Sequence, residues 1–426
     1  MRNLCVLLLL LVSTRGGGVI ADESQPPPAT PLPTTPRSDG VIDPTTLDGK
    51  VICGYQGWFN CDGDGAELGW THWAKNRNRP LAPGNVSVDL WPDVSELEPE
   101  ARYATDFLHT DGSSAEVFSS GDRSTVMRHF QWMKQYGIDG VMIQRFANGL
   151  ADPKLRRHKD NVLAHARKAA AANGRGIAVM YDLSGLHRGA VKRVREDWQR
   201  LQETRLTADP MYFHHRGGPV VAIWGIGFSD DRDYSIEECM SLVKWLKSQG
   251  CTVMLGVPSF WREGTRDATS DPRLHAIIEL ADIISPWTVG RYRSPSEATK
   301  HATAVWQSDL KWCVERELDL MPVVFPGFSW HNLTGQSLDS IPRLKGKFLW
   351  SQVVAANRIK CRMIYVAMFD EVDEGTAIFK CTDDPPTQNG GKFLATEGLP
   401  SDHYLKVVGR AGQLFRNEIV IEKQTP

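Results

Sequence analysis

The sequence contains no Cys-x-x-Cys pair and no well-spaced His/Cys grouping, which argues against the common structural zinc modules. No Gly-rich phosphate loop follows any early apolar run, which counts against a nucleotide-binding open sheet. Net charge is almost absent, -2 over 426 residues, so composition gives no pull toward nucleic acid or an anionic membrane. Past the N-terminal segment there is no apolar run long enough to cross a bilayer. The eight cysteines are scattered, and setting aside Cys5 leaves an odd number, unlike a disulfide scaffold. Cys239, Cys251, Cys313 and Cys361 fall in helix or strand patterns and are expected as buried small apolar side chains. Cys53 and Cys61 flank a short loop and are either bridged or two free thiols.

What is present begins with Arg2, an apolar run over 4–12, and small residues up to Ala21. This has the form of a secretory signal peptide, with a retained anchor as the alternative. Residues 22–45 are rich in Pro, Thr and Ser and are expected as a disordered linker. Residues 46–426 then form one domain, expected to be monomeric and, after signal cleavage, secreted or periplasmic with no membrane attachment. Asn85 and Asn332 head glycosylation sequons, relevant only in a glycosylating host.

Within that domain eight apolar runs alternate with helical patterns. The expected strands are 50–59, 140–146, 177–181, 219–224, 252–257, 282–285, 321–325 and 363–369. The expected helices are 124–136, 154–172, 190–202, 235–247, 273–280, 295–317, 345–359 and a closing helix over 402–415. The strands are continuously apolar rather than alternating, as strands buried on both faces are. Eight such units over this length predict an α/β fold, a single (β/α)8 barrel. Residues 60–123 are too long for an ordinary connection and predict a functional loop after the first strand.

A barrel of this kind places its site at the C-terminal ends of its strands. The first strand brings Tyr55, Gln56 and Trp58, and its loop brings Trp70, His72 and Trp73. The next ends bring Gln144 and Arg145, Tyr181 and Asp182, Trp224, then Trp261 and Trp287. The seventh brings Trp330. The eighth ends in four acids within five residues, Asp370, Glu371, Asp373 and Glu374. Clustered carboxylates at the end of a buried strand are energetically costly. Paired carboxylates are what a glycosidase requires, one as acid and one as base or nucleophile. Aromatic rings and hydrogen-bonding groups around them suit a polyol.

Each signal has a plainer explanation. The acids also fit a solvated loop, and a single strand-end Trp is more often a core lid. Arg145 is expected to pair with a carboxylate whatever the function. His214-His215 fits a turn better than a metal site, and Asp62-Gly-Asp-Gly65 lacks the spaced ligands of a calcium loop. Asp89 and Asp93 fit caps or turns better than site residues.

Tyr55-Gln-Gly-Trp-Phe59, Asp64-Gly65 and Gly69-Trp-Thr-His-Trp73 resemble the opening of the family 99 glycoside hydrolases, the endo-α-1,2-mannosidases and mannanases. Asp370-Glu-Val-Asp-Glu-Gly-Thr376 resembles that family's Asn-Glu-Trp-His-Glu-Gly-Thr motif, with Asp370, Val372 and Asp373 replacing Asn, Trp and His. A more distant likeness links the chain to the family 71 α-1,3-glucanases. The resemblance implies hydrolysis of an α-linked mannan- or glucan-like oligo- or polysaccharide with retention, and no metal or organic cofactor. Glu371 would act as base on the sugar's own 2-hydroxyl, and Glu374 would protonate the leaving oxygen. The family's other acidic motif has no match here; Asp182 beside Tyr181 is nearest by place. Two alternatives stand beside a hydrolase: a carbohydrate-binding barrel without turnover, and a hydrolase that uses the acids to hold a divalent ion.

Overall fold

The computed structural model describes residues 40–421. The expected signal peptide and most of the expected linker lie outside these residues. The linker's last residues do not behave as one. Ile42 is buried and its N–H bonds the Gly174 carbonyl, so the folded part starts before residue 46.

The strands and helices follow in chain order. β1 is Val51–Tyr55, and β2 (Tyr103–Leu108) with β3 (Ser114–Val117) forms a separate hairpin. α1 is Arg123–Tyr136, β4 Gly140–Phe146, α2 Pro153–Asn173, β5 Gly176–Asp182 and α3 Lys192–Glu203. β6 is His214–His215, β7 Gly218–Trp224, α4 Ile236–Ser248, β8 Thr252–Pro258, α5 Arg273–Ile278 and β9 Ile283–Trp287. α6 is Pro295–His301, α7 Gln307–Val314, β10 Asp319–Leu320 and β11 Val323–Val324. α8 is His331–Thr334, α9 Lys347–Arg358, β12 Ile364–Val366 and α10 His403–Phe415.

Parallel pairing runs β9-β8-β7-β5-β4-β1-β12. β10 pairs with β9 and β11 pairs with β12. These two pieces are halves of one strand interrupted at Met321-Pro322, since Pro322 has no N–H to give a ladder. The ring therefore closes through residues 319–324, and the fold is an eight-stranded (β/α)8 barrel. Its strands are buried along nearly their whole length, which is why they read as continuous apolar runs.

Helix ends follow local chemistry. Asp152 caps α2 through the N–H groups of Lys154 and Leu155, at 2.8 and 3.2 Å. Ser235 and Glu238 form a reciprocal capping box on α4. α1 starts one residue before Ser124, and the carboxylate of Asp122 is engaged by Tyr103. The helix expected over 295–317 is broken by a π turn, Ala302–Trp306. α10 returns to cross the end of α1, and Gly409 permits it: a Cβ there would lie 1.8 Å from the Tyr136 carbonyl oxygen.

All seven described cysteines are free and buried, so Cys53 and Cys61 are not bridged. The sequon amides of Asn85 and Asn332 are spent inside the fold, donating to the carbonyls of Asn76 and Pro80, and of Val88 and Lys392. Among the described residues no helix is long and apolar enough to cross a membrane.

Candidate active site

After β12 the chain passes Phe369, whose N–H bonds the Gly54 carbonyl, and turns sharply through 370–376. The N–H groups of Thr376 and Ala377 both return to the Glu371 carbonyl, at 3.1 and 2.9 Å. Gly375 adopts φ +63 where Ser329 crowds it, a conformation that favours glycine. This turn sets four carboxyls at the barrel mouth.

Asp370 is fully buried and accepts the N–H groups of Gln56 and Gly57 at 2.7 and 2.9 Å. Burial pushes its pKa up to about 7 while those two bonds hold it down. Both oxygens are occupied by backbone, so Asp370 fastens the end of strand one rather than meeting a ligand. Glu371 is buried and accepts Gln56 Nε2 at 2.9 Å and Thr376 Oγ1 at 3.3 Å. Burial, then the charges of Glu374, Asp373 and Asp370, push its pKa well above the usual carboxylate range. Glu374 is half-buried. Burial first, then Asp373, pushes it up to about 8; Trp330 lowers it and Asp182 raises it. No Arg or Lys pairs with either glutamate among the described residues. One of the two therefore keeps a proton through neutral pH. The Gln56 amide partly offsets the rise in Glu371 and, with the Thr376 hydroxyl, fixes the orientation of its carboxyl.

Around these acids stand Asp182, whose charge reaches Glu374, and its register neighbour Trp224 on β7. Trp287 meets Trp224 edge-on with ring centroids 5.3 Å apart. The Trp330 indole N–H is buried with no hydrogen bond of normal geometry, as are those of Trp58 and Trp224. His72 lies flat on Trp58, 3.7 Å between centroids and 6° between planes, and its Nδ1 is 3.1 Å from Asp373 Oδ2. Gln144 lies lower in the barrel, donating to the Tyr365 hydroxyl at 2.9 Å. Tyr365 in turn feels the Glu371 charge.

Several expected site residues face elsewhere. Adjacent residues on a strand point to opposite faces, so a pair at a strand end cannot both line the mouth. Tyr55 faces α1, its hydroxyl 2.9 Å from His129 Nδ1, while Gly54 faces the interior against Met368 and Tyr365. Arg145 faces the helices, paired with Asp197 at 2.8 Å and Asp160 at 2.9 Å. Tyr181 donates to the same Asp197 at 2.8 Å. Their neighbours Gln144 and Asp182 are the ones that point inward. Trp261 is fully buried in the outer layer, edge-on to Trp312 of α7. Trp73 is fully buried, donating to the Phe118 carbonyl, and Trp70 is buried within the same loop.

Gln56 and Asp373, both expected at the strand ends, belong to the arrangement, and so does Thr376, which the strand-end pattern did not single out. Asp373 was visible as the odd acid between two glutamates. Asp89 caps α8, accepting the N–H groups of His331 and Asn332 at 2.7 Å each. His215 is buried away from the acids against Asp319. A cavity of about 330 Å³ lies beside Trp261, Asp271 and His275, apart from the four acids. Among the described residues no cluster of three or more His, Cys, Asp or Glu is arranged to hold a metal ion.

This barrel is shared with known structures. The GH99 endo-alpha-mannosidase of Bacteroides thetaiotaomicron, in complex with bis-tris-propane, superposes with a TM-score of 0.61 at 16% identity, covering 88% of this chain and 99% of that one. A second structure of that enzyme gives 0.61 and 16%, covering 87% and 99%. The chain has the fold of the family 99 glycoside hydrolases. A protein described as glycoside hydrolase-like gives 0.52 at 13% identity, covering 90% of this chain and 96% of that one. No protein-family profile and no curated sequence matches the chain.

Proposed function

We propose that this protein is a glycoside hydrolase that cleaves an α-linked, mannan- or glucan-like glycan with retention of configuration. The observation that carries this is the pair Glu371 and Glu374. They lie at the C-terminal end of strand eight, pushed up in pKa and paired with no Arg or Lys among the described residues, with Trp330 beside Glu374 and Trp58 stacked on the His72 that meets Asp373. A half-buried carboxyl that titrates near 8 is a proton donor at neutral pH, which fits Glu374 as the acid. A carboxyl held by an amide and a hydroxyl is fixed in orientation, which fits Glu371 as the base. In that scheme Glu371 takes the proton of the sugar 2-hydroxyl as its oxygen attacks the anomeric carbon. The glycosidic C–O bond breaks, and Glu374 protonates the leaving oxygen. Water then opens the anhydro-sugar with the protons travelling in reverse. The indole rings offer apolar faces to the sugar, and the unpartnered N–H groups of Trp58 and Trp224 offer donors to its hydroxyls. The secretory form of residues 1–21 supports export from the cytoplasm, which N-terminal sequencing of the protein exported by its host tests.

The function is tested by Glu371→Gln and Glu374→Gln on a panel of α- and β-linked glycans. Each should lower kcat by ~10³-fold or more with the fold intact, given what general acid–base catalysis contributes. Glycan binding by the unaltered protein without turnover on any panel member overturns the hydrolase assignment.

A further inference from the structure

We propose that His72 and Asp373 form a positioning pair in which the loop histidine governs how much negative charge Asp373 brings to Glu371 and Glu374. The inference rests on the hydrolase assignment for its purpose but not for its measurement. Asp373 sits between the two glutamates in the chain, and its side chain is 5% exposed. One of its oxygens, Oδ2, is 3.1 Å from His72 Nδ1; the other, Oδ1, is buried and has no partner. An unpartnered carboxylate oxygen at this depth exerts its charge on its neighbours with little screening.

The loop after β1 is built to deliver His72 to this place. Gly69 turns the chain at φ +61, the Trp70 N–H bonds the Arg77 carbonyl at 2.8 Å, and the His72 carbonyl accepts the Ser87 hydroxyl. His72 itself sits at φ +63, a left-handed conformation that costs a non-glycine residue about 1 kcal/mol or more. Its ring is clamped on Trp58. Backbone strain, stacking and a hydrogen bond thus converge on one imidazole, which no part of the barrel core requires.

The other charges facing this cluster are accounted for. Strand eight contributes Asp370, tied to backbone, and β5 contributes Asp182. The loop after β7 contributes Arg232, neutralised by two bonds to Asp230. From α2, His158 is bonded to the Gly57 carbonyl and held down to about 4 by burial. His72 is thus the one basic group in direct contact with these carboxyls among the described residues. Asp373 stands among the charges that push both Glu371 and Glu374 upward.

The test is 13C NMR titration of the glutamate side chains together with the pH profile of kcat/KM, in Asp373→Asn, His72→Gln and the double variant. Removing the Asp373 charge should move the Glu371/Glu374 titration, and the alkaline limb of activity, down by about one pH unit, a tenfold change in ionised fraction at fixed pH. His72→Gln should move both upward, because Asp373 loses the imidazole that stacking on Trp58 holds against it. The double variant should match Asp373→Asn, since His72 acts only through Asp373. Should Asp373→Asn not fold, Asp373→Ser carries the same expectation. Glutamate titrations that stay in place in the Asp373 variants, or a His72 effect that persists without Asp373, overturn the proposal. Shifted titrations in a protein that turns over no glycan keep the pair and reject the hydrolase.

Discussion

Replacing Glu374 by glutamine should stabilise the fold at alkaline pH and leave it unchanged in acid. The folded protein holds this carboxyl's proton up to about 8, against an ordinary 4.5. A carboxyl whose folded-state pKa is raised favours the folded state at low pH. That advantage drains away as pH rises from about 4.5, where the unfolded chain releases its proton, to about 8, where the folded chain does. The full difference corresponds to a ceiling of roughly 5 kcal/mol. Glu374 is half-buried, so solvent screening brings the expected effect to ~1–2 kcal/mol. Glutamine has the same shape and never ionises, so it escapes the alkaline loss. Urea unfolding of the wild type and Glu374→Gln at pH 5 and pH 8 measures the difference. The variant should gain ~1–2 kcal/mol at pH 8 and nothing at pH 5. An equal effect at both pH values, or a variant less stable at pH 8, would refute the raised titration.

Other substitutions separate architecture from site. Arg145→Met leaves the buried Asp197 carboxylate with only Arg200 and the Tyr181 hydroxyl, and should cost ~1–3 kcal/mol in chemical denaturation with glycan KM unchanged. Tyr55→Phe removes a buried hydroxyl from His129 and should cost ~1–2 kcal/mol, again without a change in KM. Trp287→Ala and Trp330→Ala should each raise glycan KM by ~10-fold with small stability losses, through the lost ring face. Trp261→Ala should do the reverse, costing ~3–5 kcal/mol of stability because its ring is fully enclosed.

The barrel was legible because its strands are buried on both sides. Gly140–Phe146 and Thr252–Pro258 show no alternation, and helices with Gly137 or Gly174 at their ends separate such runs. The seventh strand was harder, because Pro322 divides it and each half pairs with a different neighbour. The hairpin of β2 and β3 lay hidden in a polar loop whose residues alternate only over a few positions. The acids on strand eight were visible as a local charge anomaly. What sequence alone left unresolved was the direction of side chains at strand ends. A one-residue change of face separates Asp182 from Tyr181 and Gln144 from Arg145, and composition treats both members alike. The tryptophans divide for a related reason: Trp224 and Trp287 end strands at the mouth, whereas Trp261 lies past Pro258, where the chain has already turned toward the helices.

The direct test of the assignment of Glu371 and Glu374 is 1H NMR of the first product released from an α-linked mannan or glucan by the wild-type protein. The α-anomer should appear first and mutarotate afterwards, with no such signal from Glu371→Gln or Glu374→Gln. A β-anomer appearing first, or product formation that survives either substitution, would contradict the account.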